Sequence, residues 1–235
     1  MMPRSNTCGY PVSGSEKGFG VEHLGLIHRL WAKADGELWH PLLWHMLDVS
    51  AMMDVLWTRG VDSGLRRRIA QGMGLSVEST RSALVLLSGL HDIGKATPDF
   101  QGLNPERTAV LRECGVRCPR RGKYRHDVYT AASLPQVLPA LFESSADTGS
   151  HRALRLAQIL GGHHGKFPIS RDIQSAERAL RRAEREYGWA SLRRQVAASV
   201  AETLSPDKPQ WPTLPSGDNV TPILLCALVT VADWI

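Results

Sequence analysis

One stretch limits what this chain can fold into: Leu90-His91-Asp92-Ile93-Gly94-Lys95-Ala96, reached through Ala83-Leu84-Val85-Leu86-Leu87-Ser88-Gly89. The approach is almost wholly apolar and reads as a core helix that carries a His-Asp pair into the interior. Burying both groups costs several kcal/mol unless something pairs with them, and a cation is the natural partner. A plain buried ion pair is the alternative, and the dipeptide alone does not separate the two. Adjacent helical residues diverge by roughly 100°, yet they can grip one ion, and the two oxygens of Asp92 allow a bridge to a second. Gly94 leaves room for close backbone approach. Lys95 is expected about one turn beyond His91, on the same face.

The chain has 235 residues with 43% hydrophobic content, enough for one large domain with a sizeable core. A net charge of +5 allows an anionic partner without proving one. The cysteines are Cys8, Cys114, Cys118 and Cys226; Cys114 and Cys118 lack a second close pair to complete a zinc site, so reduced thiols in a cytoplasmic protein are expected. Residues 1–20 are polar and Gly/Ser-rich, without the apolar core of a signal peptide, and are expected to be a flexible leader to a domain over 21–235. The longest apolar run, Ile223 to Ala232, is too short to span a bilayer, so no membrane partner is expected.

Helical patterns follow one another along the chain. Asp35-Gly36 marks a turn, and Pro41 suits the first turn of a helix running to about Trp57, apolar on nearly every face and hence central. His45 lies inside it. Ser63 to Gly74 is a basic amphipathic helix, and Ser76 caps the helix leading to the His-Asp pair. Pro98-Asp99-Phe100-Gln101 breaks that helix. Glu106 to Arg125 reads as irregular, ending in the basic cluster Arg120, Arg121, Lys123 and Arg125. His126 then opens a helix. A polar loop over Ser144 to Gly149 precedes an apolar helix from His151 that closes on Gly161-Gly162-His163-His164-Gly165-Lys166. Ile169 to Leu204 is a long helical pattern whose mixed charges, Arg193 among them, fit a solvated face with i,i+4 pairs. Ser205 to Asn219 is a proline-rich loop, and Pro222 to Ile235 a last apolar helix with one acid, Asp233. No segment reads as an alternating strand. No phosphate-binding G-x-x-x-x-G-K-[ST] loop is present.

His45, His91, Asp92, His126, His163, His164 and Asp233 each lie in or at the end of an apolar helix. Together they offer five imidazoles and two carboxylates, which two ions of about four to six ligands each would use, with water. Their order resembles that of the HD superfamily of metal-dependent phosphohydrolases. Gly89-Leu90-His91-Asp92-Ile93-Gly94-Lys95-Ala96, then Pro98-Asp99-Phe100-Gln101, resembles the hallmark of the HD nuclease domain of the type I CRISPR-associated nuclease-helicase. Trp31-Ala32-Lys33, Gly162-His163-His164-Gly165 and Ala232-Asp233-Trp234 match as well, so the resemblance runs from about Leu24 to Ile235.

The resemblance implies an all-α helical bundle with a metal site in its central cleft. It implies that His45, His91, Asp92 and Asp233 hold one metal, that Asp92 bridges, and that His126, His163 and His164 complete the second. Asp92 and Lys95 become the catalytic pair, with Lys95 near the scissile phosphate. The implied activity is metal-dependent hydrolysis of single-stranded DNA in antiviral defence, beside a helicase and a CRISPR RNA-guided surveillance complex. Imidazole-rich sets favour Mn, Fe, Co or Ni over Mg, which prefers oxygen shells. Arg120, Arg121, Lys123, Arg125 and Lys166 are candidate DNA contacts. Two other functions compete: an HD phosphohydrolase acting on free nucleotides, and a non-catalytic interaction module that kept the fold. The last helix lacks stop signals, so a helicase part is expected beyond 235 or on a separate chain.

Overall fold

The computed structural model describes residues 22–119, 124–143, 149–204, 207–215 and 217–235. The leader over 1–20, the polar loop after Glu143 in large part, and Arg120, Arg121 and Lys123 lie outside the described residues.

The described residues are mostly helical. After α1 (Glu22–Ile27) come two short strands, β1 (Trp31–Asp35) and β2 (Leu38–Pro41), then α2 (Leu42–Val55), which widens into a π turn over Leu56–Gly60. Next are α3 (Ser63–Met73) and α4 (Val77–Gly89), a 3-10 turn over Ile93–Lys95, α5 (Pro98–Gln101) and α6 (Pro105–Glu113). The rest is α7 (His126–Leu141), α8 (Gly149–Leu160), α9 (Ser170–Tyr187), α10 (Trp189–Leu204) and α11 (Val220–Trp234). No helix among the described residues is long and apolar enough to cross a membrane.

Local chemistry sets many boundaries. Asp62 Oδ1 accepts from the Gly64 and Leu65 amides to start α3, and Gly74 ends that helix at φ 64°. Ser76 Oγ accepts from Ser79 N at 3.0 Å to start α4, as its sequence predicts. Gly188 at φ 70° splits the long helical pattern into α9 and α10.

Five sequence expectations need correction. The antiparallel hairpin was not legible as strand: its arms are only five and four residues long, with an irregular register between Trp31 and Lys33, too little for alternation to emerge. Pro41 is the N-cap of α2 rather than part of its first turn, and the structure places Pro98 at the start of α5, well after α4 has ended at Gly89. The stretch after Glu106 is not irregular at its start, because Asn104 Oδ1 caps the Arg107 amide and Pro105 suits the first helical position. Arg193 is no part of a solvated face: it is 3% exposed and donates to Ala96 O at 3.3 Å. The charge pattern holds for Glu177 and Arg181, an i,i+4 pair at 3.7 Å.

Two helices organise the bundle. α2 packs against α4, α10 and α11 through Leu42, Leu43, Met46, Val49 and Met53, all buried. α7 packs against α8, α9, α10 and the 3-10 turn. The turn between α4 and α5 therefore lies where the two groups of helices meet, and the His-Asp pair lies on that turn.

Candidate metal centre

α4 ends on Gly89, and Leu90 bends the backbone to φ −93°, ψ 0°. His91 and Asp92 thus follow the helix rather than sit within it. His91 turns back so that Nδ1 lies 2.7 Å from Ser88 O. A carbonyl only accepts, so Nδ1 carries the hydrogen. The end of α8 repeats the device, with His163 Nδ1 2.6 Å from Leu160 O. Each ring is oriented by a carbonyl in the last turn of a helix, which also accepts from the same histidine's amide at 3.3 Å, and each Nε2 is aimed into the centre.

Asp92 receives what these elements present. Its Oδ2 lies 3.0 Å from His45 Nε2, 3.4 Å from His91 Nε2 and 2.7 Å from Lys95 Nζ. Its Oδ1 lies 3.2 Å from His126 Nε2 and 3.5 Å from His163 Nε2. Asp233, from α11, places Oδ1 3.3 Å from His45 Nε2 and 3.6 Å from His91 Nε2. His164 Nε2 is 2.8 Å from His126 Nε2. The donors form two groups, His45, His91, Asp92 and Asp233 in one and His126, His163 and His164 in the other, each with one donor atom per residue within 4.8 Å of the rest. The two oxygens of Asp92 face different groups.

The donor chemistry fits divalent cations. His91 Nε2, His163 Nε2 and Asp92 Oδ1 are buried without a hydrogen-bond partner. Such atoms cost about 1–3 kcal/mol each when left unpaired, and here they converge on one place. Burial lowers the affinity of His91 for a proton, but Asp92 and Asp233 outweigh it and push its pKa up to about 9. Asp92 is desolvated too, yet His91, His163 and His45 hold it well below the carboxylate range. Asp233 is likewise depressed, by His45 and His91 against its own burial. A cation there would replace the His91 proton. Burial takes His126 down to about 3 and also lowers His164, leaving neutral imidazoles, the form that can coordinate a metal.

The turn is clamped from α7. Gly94 N donates to Thr130 Oγ1 at 2.9 Å, and Thr130 Oγ1 donates to His91 O at 2.8 Å. A side chain at Gly94 would meet His126 O at 2.0 Å, so glycine is what lets the turn touch the helix that bears His126. At Gly161 a Cβ would meet Ala131 Cβ at 2.8 Å, so glycine also lets the end of α8 close on α7.

The structure brings together all seven residues expected from the sequence. Lys95 departs from expectation in one respect: it does not stack over His91. A 3-10 turn eclipses positions three apart, so Lys95, 6% exposed, meets Asp92 instead. Arg125 and Lys166 are exposed and flank the three-His group in sequence; Arg125 Nε is 3.5 Å from Asp127 Oδ2. Sequence reasoning missed Thr130, Gln101, Arg193 and Lys33. Thr130 follows His126 by one helical turn, which was a usable signal. Lys33, whose Nζ is 3.3 Å from Asp233 Oδ1, lay in a matched segment without a role. Cys114, Cys118 and Cys226 are free thiols and stand outside both donor groups.

Fold and site together define a helical domain of the HD type, with two adjoining donor groups and the carboxylate of Asp92 between them. The chain belongs to the Cas3 HD domain family, whose model matches residues 31–235. It is 33% identical over 212 residues to a CRISPR-associated endonuclease/helicase Cas3 of Thermus thermophilus, a match covering 88% of this chain and 22% of that protein. The chain thus spans about a fifth of that relative's length. The crystal structure of the Thermus thermophilus Cas3 HD domain in the presence of Ni2+ matches with a TM-score of 0.58 and 29% identity, covering 88% of this chain and 74% of that one. A chain of a CRISPR RNA-guided surveillance complex, pre-nicking, matches with a TM-score of 0.67 and 29% identity, covering 88% of this chain and 24% of that one.

Proposed function

We propose that this domain is a metal-dependent nuclease that hydrolyses phosphodiester bonds of single-stranded DNA in CRISPR antiviral defence. It works with a helicase domain or subunit and a CRISPR RNA-guided surveillance complex. The observation that carries the reading is the position of Asp92, with Oδ2 toward one donor group and Oδ1 toward the other.

In this reading His45, His91, Asp92 and Asp233 would hold one divalent ion, and His126, His163 and His164, with the second oxygen of Asp92 beside them, would hold another. The nitrogen-rich donors fit Mn, Fe, Co or Ni better than Mg. When bound, such ions would supply activation of water near neutral pH and electrostatic stabilisation of the phosphate oxygens. The protein's own groups do the rest. Ser88 and Leu160 carbonyls orient His91 and His163, and the Gly94–Thr130 clamp holds the turn against α7. Lys95 offsets charge at the phosphate or gives a proton to the leaving oxygen. Arg125 and Lys166 draw the DNA backbone to the more open three-His side, where His164 is exposed.

Duplex melting costs about 1–2 kcal/mol per base step, and the sequence has no nucleotide-binding loop to supply it. The test is cleavage of single-stranded and blunt duplex DNA of one sequence across metals, with and without ATP, beside free nucleotides. The expected result is metal-dependent cutting of single strands, little action on duplex and no ATP hydrolysis. Full activity in excess chelator, equal rates on duplex, or preferential hydrolysis of free nucleotides would each overturn the reading.

A further inference from the structure

Lys33 stands beside the metal centre and belongs to neither donor group. It lies on β1, in register with His40 of β2. That strand is firmly held. Gln101, fully buried, accepts from Trp31 N at 3.0 Å and donates to Trp31 O at 2.9 Å, while its own backbone carbonyl takes the Trp31 Nε1 hydrogen at 3.2 Å. The same amide donates to Lys95 O at 2.9 Å. The strand and the turn that carries Lys95 are therefore tied by one side chain.

From this base the Lys33 ammonium donates to Asp233 Oδ1 at 3.3 Å. Each carboxylate of the four-donor group thus has its own lysine: Asp92 has Lys95 and Asp233 has Lys33. The two lysines differ in access. Lys95 is buried, whereas the Lys33 side chain is 55% exposed over an Asp233 only 13% exposed. A half-exposed ion pair is weak in water. A divalent cation bound by Asp233 would carry more charge at closer range than an ammonium does and would repel the Lys33 ammonium, weakening the Lys33–Asp233 pair.

We propose that Lys33 binds a backbone phosphate of the single-stranded substrate, masked by Asp233 in the metal-free protein and released when Asp233 ligates a cation. The inference rests on the nuclease reading above. It makes substrate binding depend on metal loading through one residue of the hairpin, and by linkage bound DNA tightens metal retention in return. Lys33 is a substrate-binding group in this scheme and takes no part in holding the metal.

The test measures anisotropy of a dye-labelled, phosphorothioate-linked oligothymidine, checked for integrity on a gel, with metal-free and Ni2+-loaded protein. Wild type, Lys33→Ala and Lys33→Arg are compared, with metal content and thermal melting measured for each. Wild type should bind more tightly when loaded. Lys33→Ala should lose about 3-fold or more of the loaded affinity, with the log–log salt slope shallower by about 0.7, the value for one phosphate contact on a single strand. Its metal-free affinity, metal content and melting temperature should match wild type, and Lys33→Arg should retain the loaded affinity. Loaded Lys33→Ala that binds as wild type does overturns the inference alone. So does an equal loss with and without metal, which makes Lys33 a standing surface charge, and so does loss of metal, which makes it part of the site's scaffold. A wild type that ignores the oligonucleotide in every metal state overturns the nuclease reading and this inference with it.

Discussion

Gly94→Ala is the sharpest probe of how the turn is built. The added methyl would lie 2.0 Å from His126 O and 2.4 Å from Thr130 N, both backbone atoms of α7. No rotamer change relieves such contacts, so the turn and the helix must part by about 1 Å. Overpacking of this kind costs about 1–3 kcal/mol. Parting also weakens the Gly94–Thr130 and Thr130–His91 hydrogen bonds, at about 1 kcal/mol each. The expected loss is about 2–5 kcal/mol, against a typical domain stability of about 5–15 kcal/mol. For a domain of this size that lowers the melting temperature by roughly 5–15 °C. His126 moves away from Asp92 at the same time, so the three-His group should lose metal before the four-donor group does. Calorimetry and metal analysis read both effects. Gly25→Ala is the control, since a Cβ there meets nothing within 4 Å. Wild-type melting and full metal content in Gly94→Ala would refute the account of the clamp.

Three further outcomes are expected. Asp92→Ala should lose both ions and nearly all activity, whereas His164→Ala should keep the ion of the four-donor group; equal metal loss in the two variants would disprove the shared carboxylate. Lys95→Ala should lower the rate by about 10²-fold while metal content holds; since Lys95 touches Asp92 at 2.7 Å, loss of metal would instead make it a scaffold of the site. Asp54, whose carboxyl is lowered by the Arg81 guanidinium at 2.6 and 2.9 Å, gives stability above its unfolded pKa that fades as pH falls through the lower folded value. The pair is more than a third exposed, so Asp54→Asn should cost about 0.5–1 kcal/mol at pH 7 and progressively less as the pH falls; a cost that does not shrink in acid, read by denaturant melts, would contradict this.

What the sequence by itself determined is what acts over a few residues. Ser76 and Gly74 are helix signals that work within four positions, and so are Asp62 and the Asn104-Pro105 step, which the sequence reading passed over. The donor residues were legible too, because a histidine or carboxylate at the end of an apolar helix is costly without a partner. That the two oxygens of Asp92 could face different partners could also be anticipated from the sequence. Only the tertiary structure decided which atoms meet. His45 and Asp92 are 47 residues apart, Gly94 and Thr130 36, and Lys33 and Asp233 200, and no local pattern carries those distances. Charge periodicity placed Arg193 on a solvated face, yet α10 turns it into the core beside Ala96. Lys95 was assigned to the wrong neighbour because the helix stops at Gly89 and a tighter turn resets the spacing. Short-range hydrogen bonding selects the elements, but packing between α2, α4, α7 and α11 selects the neighbours, and the chemistry proposed here belongs to the neighbours.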